Sequence, residues 1–270
     1  MRGTSRASLA LAQERWEPVL AAAGEQASEL GGQLFALVDA LDSSGSLRRT
    51  LADPSLDGDA KAVLVGRLLA SADPRVVEVV QGLVRSRWSA DDDLADAAEQ
   101  LALHGVLASA EATGTLERVE DELFRFSRAL AGQRELRRVL NDETVAPAAR
   151  AGLVEQILGG QADPVTTTVA TRLAAAPRGR RYVAALGRVG DLVAERRSRQ
   201  VATVTSAAEL TEAQRTRLSE ILERAYGRDV QLNVVVDPHV LGGLRVQVGP
   251  EVVDSTVLSR LADARRRLAS

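Results

Sequence analysis

Apolar residues recur at three- and four-residue intervals along most of this chain. Residues 94–112, LADAAEQLALHGVLASAEA, place Leu94, Ala97, Ala98, Leu101, Val106 and Leu107 close to the 3.6-residue period of a helix. Residues 116–131 set Leu116, Val119, Leu123, Phe126 and Leu130 on one stripe. Asp73 before Pro74, and Asp163 before Pro164, predict helix starts, with aspartate as N-cap and proline at the first helical position. Pro54 and Pro147 fall where short connections are expected. Near residue 200 the pattern shifts toward strands. Val201, Thr203 and Thr205 interleave with Ala202, Val204 and Ser206. LTEAQRTRLSEILERAYG then predicts a helix, opened by a Thr211–Gln214 capping box and stopped at Gly227. VQLNVVVD alternates with Val230, Leu232, Val234 and Val236 on one face. The turn residues Pro238 and Gly242-Gly243 lead into LRVQV, and Glu251-Val252-Val253 predicts a further short strand. Asp254 or Ser255 caps an expected final helix carrying Leu258, Leu261 and Leu268 on one side.

An internal repeat organises the helical part. LRRTLADPSLDGDAKAVLVGRLL (47–69) aligns with LRRVLNDETVAPAARAGLVEQIL (136–158) at an offset of 89, with ten of 23 positions identical. Leu34-Phe35 pairs with Leu123-Phe124 at the same offset, and Ala72-Asp73-Pro74 with Ala162-Asp163-Pro164 at 90. Because Arg-Arg, Asp and Asp-Pro align, chance likeness between Ala/Leu-rich helices is a poor explanation. Each copy predicts five or six short helices. Residues 94–112 align both with 183–201 and with about 5–23. Either one helix serves both bundles or a long helix bridges them; the pattern alone leaves both open.

The expected fold is mainly α: tandem, duplicated small helical bundles followed by a small α+β domain with a three- to four-stranded sheet. The expected divisions are 1–93 for the first bundle, 94–200 for the second and 201–270 for the C-terminal domain.

Composition narrows the chemistry. The chain has 45% hydrophobic residues but only 3% aromatic ones, so its core must be built from Ala, Leu and Val. Such side chains favour closely packed helices. A formal charge of -3 provides no global pull toward nucleic acid. The absence of cysteine excludes disulfides and thiolate zinc sites. The opening stretch MRGTSRASLALAQERW has no apolar core and predicts no secretory leader. No segment predicts a membrane-spanning helix. His104, expected at a helix surface or interface, and His239, expected in a turn, make no metal set, and no phosphate-binding glycine loop is present. Asp91-Asp92-Asp93 is best read as support for a helix N-terminus. Arg178, Arg180 and Arg181, Arg196, Arg197 and Arg199, and Arg265 to Arg267 form basic clusters suited to helix ends or to an acidic partner. No catalytic, cofactor-binding or metal-binding residue is expected.

The segment VLGGLRVQVGPEVVDSTVLSRLADARRRL resembles the C-terminal signature of the delta subunit of bacterial ATP synthase, the family that includes the mitochondrial oligomycin-sensitivity-conferring protein. The matching residues are Gly242, Gly243, Gly249, Asp254, Ser255, Leu258 and Leu261. LALHGVLASAEATGTLERVEDEL resembles that family's first helix and its link to the second. Residues 94–270 thus cover an ordinary family member, and the duplicated bundle looks like an actinobacterial variation. The resemblance implies a non-catalytic stator subunit of the peripheral stalk, without cofactor, on the cytoplasmic face of the plasma membrane. It implies that a groove holds the amphipathic N-terminal helices of the alpha subunits, and that the C-terminal domain grips the end of the b subunit. Leu101, Val169, Ala170, Leu173 and Ala174 are the expected groove floor, in the second bundle. Leu258, Leu261 and Leu268 are the expected stalk contacts. Gly242, Gly243, Gly249, Asp254 and Ser255 are expected to shape the fold. The alternative is a free-standing helical-repeat adaptor that binds acidic partners through the arginine clusters.

Overall fold

A computed structural model describes residues 1, 3–198, 201–226, 230–238, 240, 242–248 and 251–254. The chain divides into two compact units, Met1–Gly190 and Asp191–Ser270. The expected helix at 255–270, with Leu258, Leu261 and Leu268, lies outside the described residues, as do Gly227, His239, Gly249 and Ser255.

The first unit is all helical: α1 (Gly3–Ala23), α2 (Ala27–Ser43), α3 (Gly45–Ala52), α4 (Gly58–Leu68), α5 (Pro74–Arg85), α6 (Asp91–Ala112), α7 (Leu116–Ala131), α8 (Arg134–Asn141), α9 (Pro147–Leu158) and α10 (Pro164–Ala175). α11 (Tyr182–Ser198) carries the chain across the division. The repeat is visible helix by helix. α2, α3 and α4 start 89 residues before α7, α8 and α9, and α5 starts 90 before α10.

Small hydrogen-bonded devices repeat with the helices. Asp53 accepts from the Ser55 N–H and hydroxyl, and Asp142 does the same for Thr144. The Asp73 N–H donates to Gln33 at 2.8 Å, and the Asp163 N–H to Glu122 at 2.8 Å. Both aspartates cap as expected, accepting from the N–H of Arg75 and of Val165. Helical periodicity alone does not produce the matched pair from Gln33 and Glu122, whose bonds each join residues about 40 apart.

Residues 94–112 lie in one helix, α6. α6 packs against α1, α2, α3 and α5 of the first copy and against α7 and α10 of the second. It is consequently buried from Leu101 through Ala110 without a break. α2 crosses it at backbone distance. A Cβ added to Gly31 would lie 2.6 Å from the Ala102 carbonyl oxygen, and one added to Gly105 would lie 2.9 Å from the Gly31 Cα. Only glycine permits that approach. The acidic triplet forms the first turn of α6 and does more than favour a helix start: Arg48 pairs with Asp91 and Asp92, and the Ser5 hydroxyl donates to Asp93.

In the second unit, β1 (Val201–Ser206), α12 (Glu212–Tyr226), β2 (Gln231–Val236), β3 (Leu244–Val248) and β4 (Glu251–Asp254) form a four-stranded sheet of order β2-β1-β3-β4. β1 and β2 are parallel, joined through α12, and the other pairs are antiparallel. The register sets Ala202 opposite Leu232 and Val248, and Val204 opposite Val234 and Val246. One sheet face is therefore apolar and packs on Leu218 and Leu222 of α12. The capping box forms: Thr211 N–H donates to Gln214 Oε1, and Gln214 N–H to Thr211 Oγ1. Gly242 and Gly243 have φ of 85° and 86°, the left-handed conformation their turn requires. Asp254 ends β4.

Candidate partner-binding surfaces

The five expected groove residues are core residues. Leu101 on α6, and Val169, Ala170, Leu173 and Ala174 on α10, are all buried. Their small-residue stripe packs inside the unit and presents no surface to a partner. α10 packs against α6, α7 and α9, and α6 is itself covered by α1. The Trp16 indole N–H donates to the Leu101 carbonyl at 3.0 Å. Gln13 Nε2 lies 2.9 Å from His104 Nε2, so His104 is buried beneath α1 and not part of an open surface. Arg172, also on α10, holds Asp39 through both guanidinium nitrogens at 2.8 and 2.7 Å. Its guanidinium stands 4.7 Å from the centre of the Phe35 ring on α2.

A second charged cluster joins the bundles beside this contact. Arg178 donates to Asp42, Asp96 and Glu99 at 2.8, 2.9 and 3.1 Å. Arg180 donates to Asp96 and Glu99. Arg178 adopts φ of 50°, unusual for a residue with a side chain, and its side chain is nine-tenths buried. Burial disfavours its charge, but the three carboxylates outweigh burial and raise its pKa. Arg178 and Arg180 therefore spend their charge inside the molecule, which removes them as a docking site for acidic partners.

The remaining apolar surface lies elsewhere. On the first unit, Leu56, Val63, Leu64 and Leu68 are exposed at α4, and Phe124 and Ile157 on α7 and α9. On the second, an apolar pocket of about 460 Å³ opens between the end of β1, the start of α12 and the Gly242-Gly243 turn. Leu210, Leu218, Ile221 and Leu244 line it, with Glu209 and Arg217 also at its wall. The two family-motif glycines thus shape a cavity as well as a turn. Among the described residues there is no group of three or more His, Cys, Asp or Glu able to hold a metal ion. No helix of the described residues is long and apolar enough to cross a membrane.

The family model "ATP synthase delta (OSCP) subunit" matches residues 101–268. An ATP synthase subunit delta of Beutenbergia cavernae is 56% identical over 270 residues, covering all of both chains. The chain belongs to the ATP synthase delta (OSCP) subunit family. The delta subunit of Kineococcus radiotolerans is 47% identical, covering 99% of this chain and 97% of its own. That of Streptomyces coelicolor is 45% identical, covering 100% and 99%. A chain in the cryo-EM structure of the Toxoplasma gondii mitochondrial ATP synthase hexamer aligns over 62% of this chain and 95% of its own, at 18% identity and a TM-score of 0.33, too loose to carry an argument. The delta family model leaves out residues 1–100, whereas the delta subunits of these actinobacteria match along their whole length. The extra helices are thus shared with those relatives. The free-standing adaptor is set aside on the same grounds, together with the internal pairing of Arg178 and Arg180.

Proposed function

We propose that this delta-family chain is a non-catalytic stator subunit in the peripheral stalk of ATP synthase, on the cytoplasmic face of the plasma membrane. Its helical unit anchors to the catalytic head by taking the amphipathic N-terminal helices of the alpha subunits. Its C-terminal domain grips the C-terminal end of the b subunit, with Leu258, Leu261 and Leu268 as the contacts. The observation that carries this reading is the match to subunits named delta along the whole chain. The geometry supports it as well. Torque is resisted by a stiff body, and the two bundles share α6 and are clamped by Arg172, Arg178 and Arg180. Helix-in-groove binding needs apolar surface and no reactive group.

The test is binding of the purified chain to an ATP synthase head stripped of its own delta subunit, at low and high salt. A one-to-one complex that survives high salt is expected, since apolar contacts are little screened. A complex seen only at low salt, or none, would refute head anchoring.

A further inference from the structure

We propose that the N-terminus of α9, in the second bundle, is a binding site for a small oxyanion of the phosphate class, set beside the buried cation Arg150.

The repeat shows what this place holds when it is complete. At the offset of 89, α4 of the first bundle is the counterpart of α9, and Lys61 that of Arg150. Asp53, Asp57 and Asp59 correspond to Asp142, Ala146 and Ala148. Asp57 is the N-cap of α4, and its carboxylate accepts from the Ala60 N–H at 3.1 Å. Asp59 adds a second acid in the first turn. Lys61 is buried and donates to the Asp53 carbonyl at 2.9 Å. Burial pushes its pKa down, and the charges of Asp53 and Asp57 oppose that. One carboxylate, that of Asp57, thus serves both a helix N-terminus and a buried cation.

The second bundle keeps the cation and loses that carboxylate. Ala146 is the N-cap of α9, no side chain caps the helix, and its first turn has no acid. The backbone is nearly unchanged: Ala146 has φ of -54° and ψ of 137°, and Asp57 has -60° and 127°. Arg150 is only 4% exposed. Its Nη2 donates to the Ala175 carbonyl at 3.2 Å, while Nε and Nη1, both shielded from solvent, have no partner among the described residues. Asp142 is retained but does not bond Arg150. Its bonds from the Thr144 hydroxyl and N–H hold its carboxyl below the usual value, and the charges of Arg138 and Arg150 add to that at longer range. A helical side chain leans toward the N-terminus of its helix, and the influence on Asp142 places the Arg150 charge beside the turn leading into α9. Orphaned donors of a buried charged group are costly, and a helix N-terminus favours negative charge. An anion at the position of the Asp57 carboxylate answers both. Ala146, Pro147, Ala148 and Ala149 are exposed, so it can arrive from solvent.

The experiment follows thermal unfolding of the full-length chain in inorganic phosphate and in sodium chloride of equal ionic strength. Wild type, Ala146→Asp and Arg150→Gln are compared. Ala146→Asp restores the aspartate of the first bundle on a backbone that already suits it. Phosphate also stabilises proteins by exclusion from their surface, so the site is read from the difference between variants. The wild-type gain in phosphate is expected to exceed that of either variant by at least about 2 °C. In chloride, Ala146→Asp should melt about 2–4 °C above wild type, because it carries its own anion. Equal phosphate gains in wild type and Ala146→Asp overturn the site, even if Arg150→Gln does not fold. A full wild-type gain in a folded Arg150→Gln overturns it as well.

Discussion

Replacing Arg178 with alanine removes the one side chain that reaches Asp42 on α2 and both Asp96 and Glu99 on α6. Asp42 then loses its ion pair, and Asp96 and Glu99 face Arg180 alone. Glu99 is only 5% exposed and cannot regain its hydration, while Asp42 and Asp96, at 33% and 31%, partly can. Breaking a buried ion pair from one side costs about 3–5 kcal/mol, and partial rehydration places this case near the lower figure. For a unit of this size, about 3 kcal/mol corresponds to a fall in Tm of roughly 6–12 °C. Both tryptophans, Trp16 and Trp88, are buried in the first unit, so fluorescence melting follows that unit. Arg178→Gly supplies an internal control. At φ of 50° glycine relieves a strain that alanine keeps, so the glycine variant should be more stable than the alanine variant by about 1 kcal/mol. A Tm loss in Arg178→Ala of less than about 2 °C would refute the claim that this cluster clamps the bundles together.

Other outcomes follow from named contacts. Gly31→Leu should destabilise the first unit by 1–3 kcal/mol or more, by forcing α2 from α6, whereas Gly152→Ala in α9, with open space around it, should stabilise by about 0.5–1 kcal/mol; urea unfolding separates the two. For Glu122, burial pushes the pKa up, but bonds from Arg118, Thr166 and the Asp163 N–H outweigh it and hold the carboxyl below its ordinary value of 4.5. Its contribution is therefore complete above pH 4.5 and lost as pH falls through the lower folded value, so Glu122→Gln, which copies Gln33 of the first bundle, should flatten stability against pH in that acid range. Asp73→Ala should cost about 1 kcal/mol by uncapping α5, again by urea unfolding.

The duplication was legible because its markers are local: Arg-Arg, the Asp turns and Asp-Pro keep their spacing whatever surrounds them. The Asp73 and Asp163 caps and the Thr211–Gln214 box formed as their sequences imply, since each device closes within a few residues. The strands β2 and β3 followed from period-two alternation, and β1 from its β-branched run. What escaped depends on residues far apart. Nothing near Gly31 or Gly105 announces that they meet each other, because the need for glycine arises from the opposing backbone. The arginines at 172, 178 and 180 resemble a solvated helix end until α2 and α6 arrive with Asp39, Asp42, Asp96 and Glu99. Val169, Leu173 and their neighbours show why a groove cannot be read from a stripe of small apolar residues. The same stripe serves a floor or a core, and what decides is whether another helix lies on it. Here α6, α7 and α9 pack against α10, and the stripe is core.

The central claim is that this chain joins the head to the stalk. The direct measurement is sedimentation of the full-length chain with the stripped head and a soluble b-subunit fragment, separately and together. The account predicts a ternary complex with one copy of the chain, in which head and b fragment bind at once and neither displaces the other. Competition between head and b fragment, or a chain that binds only one of them, would contradict it.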